Sequence, residues 1–171
     1  MDVSQAGRDH GSGGDAGGSE KGVVSVTARA DVERALWALR AYDTTALATV
    51  SESGPHVAGV FFAPEIEGER IRLLLAILDR SRKADDIARD PRVAFMCSPG
   101  NPSRWIQGWG SATRPAVDDA GRLEIFRRLT AHAPGAQQFI HSLPVHPVIV
   151  AVRELKIVEV LSNPPLILTF D

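Results

Sequence analysis

Along most of the chain after residue 43, apolar residues either alternate with polar ones or form short continuous runs. Alternation with a period of two is typical of a β-strand that buries one face. The pattern predicts six strands, at residues 44–51, 56–65, 70–78, 91–98, 104–117 and 146–161. The third, RIRLLLAIL, is rich enough in leucine to be buried on both faces. The last is long enough to be one strand or two.

Three other segments carry the helical period. They predict helices at residues 30–42 and 118–134 and a short helix at 136–143. A further short helix is predicted to begin after Ser81 and to end before Pro91. Strands in succession with a few intervening helices predict a mainly β fold, a small six-stranded antiparallel barrel with flanking helices.

The first 22 residues differ in composition from the rest of the chain. They contain seven glycines and few residues able to pack, which predicts a flexible glycine-rich tail at 1–22. Residues 23–171 are expected to form a single domain, because a chain of this length usually has one core.

Charge and apolar content exclude several classes of partner. The net charge of −2 gives no reason to expect binding to nucleic acid or to an anionic membrane. The longest apolar run is shorter than the roughly 20 residues of a membrane span, and no signal-peptide segment is visible. The single cysteine, Cys97, lies in an apolar run, so we expect an unreactive core thiol and a cytoplasmic protein.

The stretch LDRSRKADDIARDP, residues 78–91, contains an electrostatic conflict. Ser81 is the predicted N-cap of the short helix, yet Arg80, Arg82 and Lys83 crowd the helix end that favours negative charge. A bound phosphate would resolve the conflict, because a helix N-terminus attracts anions and basic side chains add charge-assisted hydrogen bonds. In the alternative, Arg82 pairs with Asp86 four residues on, Asp85 pairs with Arg89, and Arg80 is solvated.

Glycine and tryptophan residues mark the fifth predicted strand. Gly108 and Gly110 indicate a bulge or a close backbone approach. We expect Trp105 and Trp109 on opposite faces of this strand, near a ring cofactor or as aromatic filling of a core or interface.

The remaining candidate residues have no spacing typical of a metal site, and no metal is predicted. His132, His141 and His146 are scattered over the last helices and the last strand. We expect His141 and His146 to be turn or surface residues, and we expect Arg114 on the surface.

Order and spacing of three segments resemble a known family. ALATVSESGPHVAGVFF, then RIRLLLAILDRSRKADDIARDPRVAFMC, then RWIQGWGSA resemble the pyridoxamine 5'-phosphate oxidase-like, FMN-binding split-barrel superfamily. The resemblance covers about residues 44–161. It implies a six-stranded antiparallel split β-barrel that binds a flavin.

The resemblance also implies a set of cofactor-binding residues. They are Ser81, Arg82, Lys83, Ala76, Ile77, His56, Val57, Ala58, Trp105 and Gln107. Arg82 and Lys83 match the pair that binds the FMN phosphate. Ala76 and Ile77 match positions whose backbone meets the flavin ring, and residues 56–61 match the segment beneath the cofactor.

Three departures from the family pattern argue against pyridoxamine 5'-phosphate oxidation itself. Phe61 stands where the oxidase has lysine, Trp105 where it has glutamine, and Gln107 where it has arginine. The resemblance therefore implies a relative that oxidises or reduces another small organic molecule, with FMN supplying the redox chemistry.

Several alternatives remain open from the sequence. The cofactor could be the deazaflavin F420 or haem, and the protein could be a non-catalytic carrier, a sensor, or a barrel that has lost its ligand. The adjacent Arg82 and Lys83 favour FMN, because two positive charges match a terminal phosphate dianion better than the internal diester of F420. The resemblance further implies a homodimer with the cofactor at its interface.

Overall fold

The computed structural model describes residues 29–161 and 163–170. The tail predicted at residues 1–22 lies outside the described residues, as do residues 23–28 of the predicted domain. The helices are α1 (Arg29–Leu39), α2 (Arg82–Arg89), α3 (Asp119–His132) and α4 (Ala136–Ser142). The strands are β1 (Thr44–Ser51), β2 (Gly54–Glu67), β3 (Arg70–Leu78), β4 (Arg92–Cys97), β5 (Trp105–Thr113), β6 (Val145–Val158) and β7 (Leu166–Thr169).

All strand pairings are antiparallel, in the order β3-β2-β1-β4-β5-β6-β7. A further pairing of β3 with β6 closes six of the strands into a barrel. The predicted mainly β barrel with flanking helices is confirmed. The strand β7, which pairs only with β6, was not predicted, because it has four residues and follows Pro164 and Pro165.

The leucine-rich β3 serves two cores, as its composition predicts. Leu73, Leu75 and Ile77 face the barrel interior. Leu74 and Ala76 face the opposite way, into a second cluster formed with α3 and α4. Since successive side chains of a strand point to opposite faces, one strand can carry two cores only if nearly all its residues are apolar.

Cys97 belongs to the barrel core. It is 1% exposed, and burial raises the pKa of its thiol to about 11. The position inside the core agrees with the prediction.

One long strand changes its partner, and this opens the barrel wall. β2 pairs with β1 up to Phe61 and with β3 from Phe62 onward, where Phe62 lies opposite Leu75. β3 continues to Leu78 alongside β6. The edge of β3 from Ala76 to Leu78 that faces β2 therefore has no strand partner, and α2 begins four residues beyond it.

Candidate functional site

The first turn of α2 is built around Ser81. Its backbone is extended, with φ −112° and ψ 153°, and its Oγ accepts a hydrogen bond from the backbone N–H of Ala84 at 3.3 Å. The same hydroxyl donates to the carbonyl oxygen of Leu78 at 2.8 Å, which joins the helix to the end of β3. Ser81 is thus the N-cap, as predicted. Ser81 provides acceptors for the N–H groups of Ala84 and Asp85, whereas those of Arg82 and Lys83, the first two helical residues, have no acceptor within the helix.

Arg82 connects this turn to the hairpin between β1 and β2. Its Nη2 donates to Ser51 Oγ at 2.9 Å and to Ser53 Oγ at 2.6 Å. The predicted alternative, an ion pair between Arg82 and Asp86, is wrong, because Arg82 extends toward the hairpin. Lys83 is half-buried. Within the described chain, neither of these cations nor Arg80 forms an ion pair.

The carboxylates of this region are engaged at the other end of α2. Arg89 binds Asp86 Oδ1 at 3.1 Å and Glu52 at 2.9 Å, whereas the predicted pairing of Asp85 with Arg89 involves only the backbone carbonyl of Asp85. Beyond the helix, side-chain hydrogen bonds from Arg92 lower the pKa of Asp90 to about 2. Asp85 lies in the first turn of α2 with Arg82 and Lys83, but its carboxylate forms no ion pair with either cation in the described chain.

A buried carboxylate anchors α2 to the barrel. Asp86 is 0% exposed, and its Oδ2 accepts a hydrogen bond from Thr49 Oγ1 at 2.8 Å. His56, a predicted cofactor residue, directs its Nδ1 inward to 3.8 Å from the same Oδ2, where this nitrogen is buried without a hydrogen-bond partner. The hydrogen bond between Asp86 and Thr49 therefore joins β1 to the helix that carries Arg82 and Lys83.

A second histidine lies at the same barrel end, in a position the sequence did not indicate. His146 is 5% exposed on β6, opposite Ile77 of β3, so its predicted surface position is wrong. Its Nδ1 lies 2.6 Å from Asp79 Oδ1. Arg114, exposed as predicted, approaches the same carboxylate at 3.9 Å. His146 is buried because long-range pairing of β6 with β3 places it at the barrel mouth.

The predicted strand residues border the opening between β2 and β3. Ala76 and Ile77 are buried, so only their backbone edge faces the opening. On the opposite side, Val57 is 61% exposed on the outer face of β2 and Ala58 is half-buried. A side chain at Gly59 would meet no atom within 4 Å, which leaves open space along this part of β2.

Trp105 and Gln107 lie away from α2. Both point to the outer face of β5, where Trp105 Nε1 donates to Gln107 Oε1 at 3.2 Å. Gln107 pairs across to Met96, which pairs with Ala46 of β1. Ala46 is five residues from Ser51, or about 16 Å along a strand, so one chain does not bring Trp105 and Gln107 to the turn that carries Arg82 and Lys83.

Trp109 is also on the outer face, so the predicted placement of the two tryptophans on opposite faces is wrong. Residues four apart in a strand share a face, and the bulge lies between Trp109 and Gly110, beyond both tryptophans. The predicted close approach is confirmed, because a Cβ at Gly110 would collide with the carbonyl oxygen of Ala151.

The outer face of β1, β2, β4 and β5 carries a shallow apolar cavity. Its volume is about 430 Å³, and it brings together Val57 and Gln107, which come from strands far apart in sequence. Its other lining residues are Ala46, Ala48, Ala94, Phe95, Met96, Gly108, Trp109 and Glu154. Small side chains on three of these strands leave the space open.

Several residues of this region were missed by sequence reasoning. Ser51 and Ser53 carry a weak signal, since serines in a hairpin are common turn residues. Thr49, Asp79 and Asp86 carry none, because their roles depend on contacts between segments distant in sequence.

No three histidine, cysteine, aspartate or glutamate side chains in the described ranges are grouped to hold a metal ion. Likewise, the helices described here are too short or too polar to cross a bilayer.

Known proteins with similar structures support the fold. No protein-family model matches the chain, and no curated protein matches it in sequence. A Clostridium acetobutylicum protein related to general stress protein 26, of the pyridoxinephosphate oxidase family, matches with a TM-score of 0.64 at 10% identity, over 85% of this chain and 98% of its own. The chain has the split-barrel fold of these proteins. This confirms, at the level of the fold, the resemblance to the pyridoxamine 5'-phosphate oxidase-like superfamily.

Two other neighbours are longer than this chain. A heme-binding protein from Mycobacterium smegmatis has a TM-score of 0.62 at 19% identity over 85% of this chain. Campylobacter jejuni ChuZ has a TM-score of 0.65 at 15% identity over 82% of this chain. The match spans 60% of the length of each.

Proposed function

We propose that the protein binds FMN and uses it as an oxidoreductase on a small organic molecule other than pyridoxamine 5'-phosphate. The observation that carries the proposal is the cluster of Arg82 and Lys83 at the N-terminus of α2. In the part of the chain that the structure describes, neither cation forms an ion pair with a carboxylate. Arg82 donates hydrogen bonds to the hydroxyls of Ser51 and Ser53, and the backbone N–H groups of Arg82 and Lys83 lie at the open end of the helix.

This donor set fits a phosphate monoester. A terminal phosphate carries nearly two negative charges at neutral pH, which match the two cations. Hydroxyl and backbone N–H donors can satisfy the remaining oxygen atoms. In this proposal Arg82 exchanges its contacts with the serines for contacts to the phosphate, while Ser81 keeps the helix capped.

The rest of the cofactor would extend from α2 along the opening in the barrel wall. Val57, Ala58 and Gly59 of β2 border this opening on one side, and the unpaired edge of Ala76 to Leu78 borders it on the other. When bound, the flavin would supply hydride or electron transfer. The chain's own residues would hold the phosphate, orient the ring and limit access of water.

A homodimer completes the proposal. The outer sheet face exposes Val57 at 61%, Met96 at 47% and Trp109 at 48%, next to the small side chains that line the 430 Å³ cavity. A second copy on this face would bury the apolar surface and bring its own Trp105 and Gln107 toward the cofactor. Sedimentation should then show a dimer that Val57→Asp converts to monomers; a wild-type monomer would remove this part of the proposal. The single buried thiol fits our proposed cytoplasmic location.

The first experiment is identification of the bound molecule. Purified protein is denatured, and the released small molecules are identified by mass spectrometry and by the absorption spectrum before denaturation. We expect FMN. Release of F420 would mean that the cofactor is F420 and not FMN. A Soret band would indicate that the protein binds haem, as the name of the Mycobacterium smegmatis neighbour says of that protein.

A second experiment separates an enzyme from a carrier. Bound FMN that is reduced by NADPH and reoxidised by an added acceptor over many cycles supports an oxidoreductase. Bound FMN that NAD(P)H and a panel of acceptors leave unchanged would favour a carrier or sensor.

A further inference from the structure

The turn that leads into α2 is fixed by two hydrogen bonds, one to β6 and one to the residue just before this strand. The backbone N–H of Asp79 donates to the carbonyl oxygen of Pro144 at 2.9 Å. The carboxylate of Asp79 contacts His146 Nδ1 at 2.6 Å, and His146 is 5% exposed. Because a carboxylate accepts hydrogen bonds, this contact places a proton on Nδ1.

The fixation compensates for the open barrel wall. Since β2 pairs with β3 only as far as Leu75, β6 is the only described strand that pairs with the last residues of β3. A turn attached on one side would retain conformational freedom, and ordering it around a ligand would cost free energy. The contacts of Asp79 with Pro144 and His146 extend the attachment beyond Leu78, to within two residues of Ser81.

The charge of Asp79 would be unfavourable for binding an anion directly. The carboxylate lies three residues before Arg82, and a negative group near a phosphate repels it. The charged group closest to it from another element, besides His146, is Arg114 at 3.9 Å, and Arg80 follows in sequence. A carboxylate at this position is therefore better explained by its contact with His146 than by contact with a ligand.

We propose that His146 and Asp79 are positioning residues, which hold the β3–α2 turn in the conformation that binds the cofactor phosphate. The inference rests on the proposed function. His146 acts through Asp79 and the turn, without touching the phosphate. It determines how much affinity the phosphate group adds, and it leaves the binding of the flavin ring unchanged.

Riboflavin, which lacks the phosphate, makes this separation measurable. The affinities of apoprotein for FMN and for riboflavin are measured by quenching of flavin fluorescence, and their ratio gives the contribution of the phosphate. His146→Leu removes a hydrogen bond to a carboxylate and should lower the ratio about tenfold, with riboflavin affinity unchanged. His146→Asn places an amide N–H near the position of Nδ1 and should recover most of the ratio. His141→Leu, at an exposed histidine on α4, is the matched control and should leave the ratio at the wild-type value.

Three outcomes would overturn the inference in distinguishable ways. Wild-type protein that binds neither flavin, or binds both equally, would remove the proposed phosphate site itself. A wild-type preference for FMN that His146→Leu retains would remove only the positioning role. Equal loss of FMN and riboflavin affinity in His146→Leu would mean that the contact of His146 with Asp79 only stabilises the fold. If His146→Leu does not fold, His146→Gln is used, because it keeps a polar side chain and the charge of Asp79 but places no N–H at the position of Nδ1; it should lower the same ratio.

Discussion

Helices α2 and α3 begin in similar ways but differ in the charges of their first turns. Each has a side-chain cap, Ser81 for α2 and Asp118 for α3, whose Oδ1 accepts from Gly121 N–H at 2.8 Å. The first turn of α3 contains Asp119, which favours the helix dipole. The first turn of α2 contains Asp85 as well, but also Arg82 and Lys83, which oppose the dipole.

The difference implies that the charges at the N-terminus of α2 are electrostatically unfavourable when no ligand is bound. Cations at a helix N-terminus are unfavourable by a few tenths to about 1 kcal/mol each. In α3 the basic residues come later and pair with acidic ones, such as Arg127 with Glu124 at 2.7 Å. We therefore expect that α3 needs no ligand for its stability and that a bound anion would stabilise α2.

The two helices also dock differently. α3 buries Ile125, Phe126 and Leu129 in an apolar cluster. α2 buries one apolar residue of its own, Ile87, beside the carboxylate of Asp86. A short helix with a polar anchor is held in one orientation by directional hydrogen bonds, which suits our proposal that its N-terminus binds a phosphate.

The largest expected effect is loss of FMN binding in the double variant Arg82→Ala, Lys83→Ala. Two charge-assisted contacts of about 1.5–3 kcal/mol each would be removed, which lowers affinity at least a hundredfold, by roughly 3 kcal/mol or more. Flavin fluorescence titration measures the change. The matched control is Arg122→Ala, Arg127→Ala on α3, which removes the same charge and should leave affinity nearly unchanged. Equal losses in both double variants would mean that only the overall charge matters.

The next effect is destabilisation by Asp86→Ala. The change leaves the buried Thr49 hydroxyl without its acceptor and removes one of the two carboxylates that bind Arg89, which keeps Glu52. We expect a loss of about 2 kcal/mol in the free energy of unfolding. Asp86→Asn retains an acceptor for Thr49 and should lose less. Urea denaturation measures both, with the exposed Asp119→Asn as the control. A loss below about 0.5 kcal/mol for Asp86→Ala, a typical surface value, would contradict the anchoring role.

A smaller effect is expected at the caps. Asp118→Ala should lower the free energy of unfolding by about 1 kcal/mol, because the Gly121 N–H loses its acceptor. Ser81→Asp keeps an acceptor for the Ala84 N–H and adds a favourable negative charge, but it loses the hydrogen bond that Ser81 donates to the Leu78 carbonyl oxygen. We therefore expect the stability of the ligand-free protein to change by less than about 1 kcal/mol. The same substitution should weaken FMN binding by repelling the phosphate. Stronger FMN binding in Ser81→Asp would place the phosphate elsewhere.

The smallest effect concerns two substitutions that each remove one positive charge and should change the free energy of unfolding differently. Lys83→Gln should raise the stability of ligand-free protein by a few tenths of a kcal/mol, because it removes a cation from the unfavourable helix end. Arg122→Gln should lower stability by a similar amount or leave it unchanged, since Arg122 faces Asp119 at 3.6 Å. Urea denaturation at low ionic strength, without phosphate in the buffer, measures both. Destabilisation by Lys83→Gln would indicate that Lys83 already has a favourable role without an anion.

Local patterns in the sequence predicted most of the fold and one part of the site. The alternation in residues 44–51 predicted β1 with its bounds, because a strand with one buried face repeats every two residues. Ser81 was identified as a cap and Arg82 with Lys83 as misplaced cations, because capping and dipole effects act within one turn of a helix. The burial of His146, the contacts of Arg82 with the hairpin serines and the common face of Trp105 and Trp109 were not predicted.

The sequence by itself therefore determined six of the seven described strands, the cap of α2 and the cations at its N-terminus. Each depends on residues within a few positions of one another. Only the tertiary structure decided that β2 changes its partner from β1 to β3 at Phe62, that Asp86 of α2 meets Thr49 of β1, and that His146 reaches Asp79. Those contacts join residues separated by 13 to 67 positions along the chain, where register and barrel closure determine which groups meet.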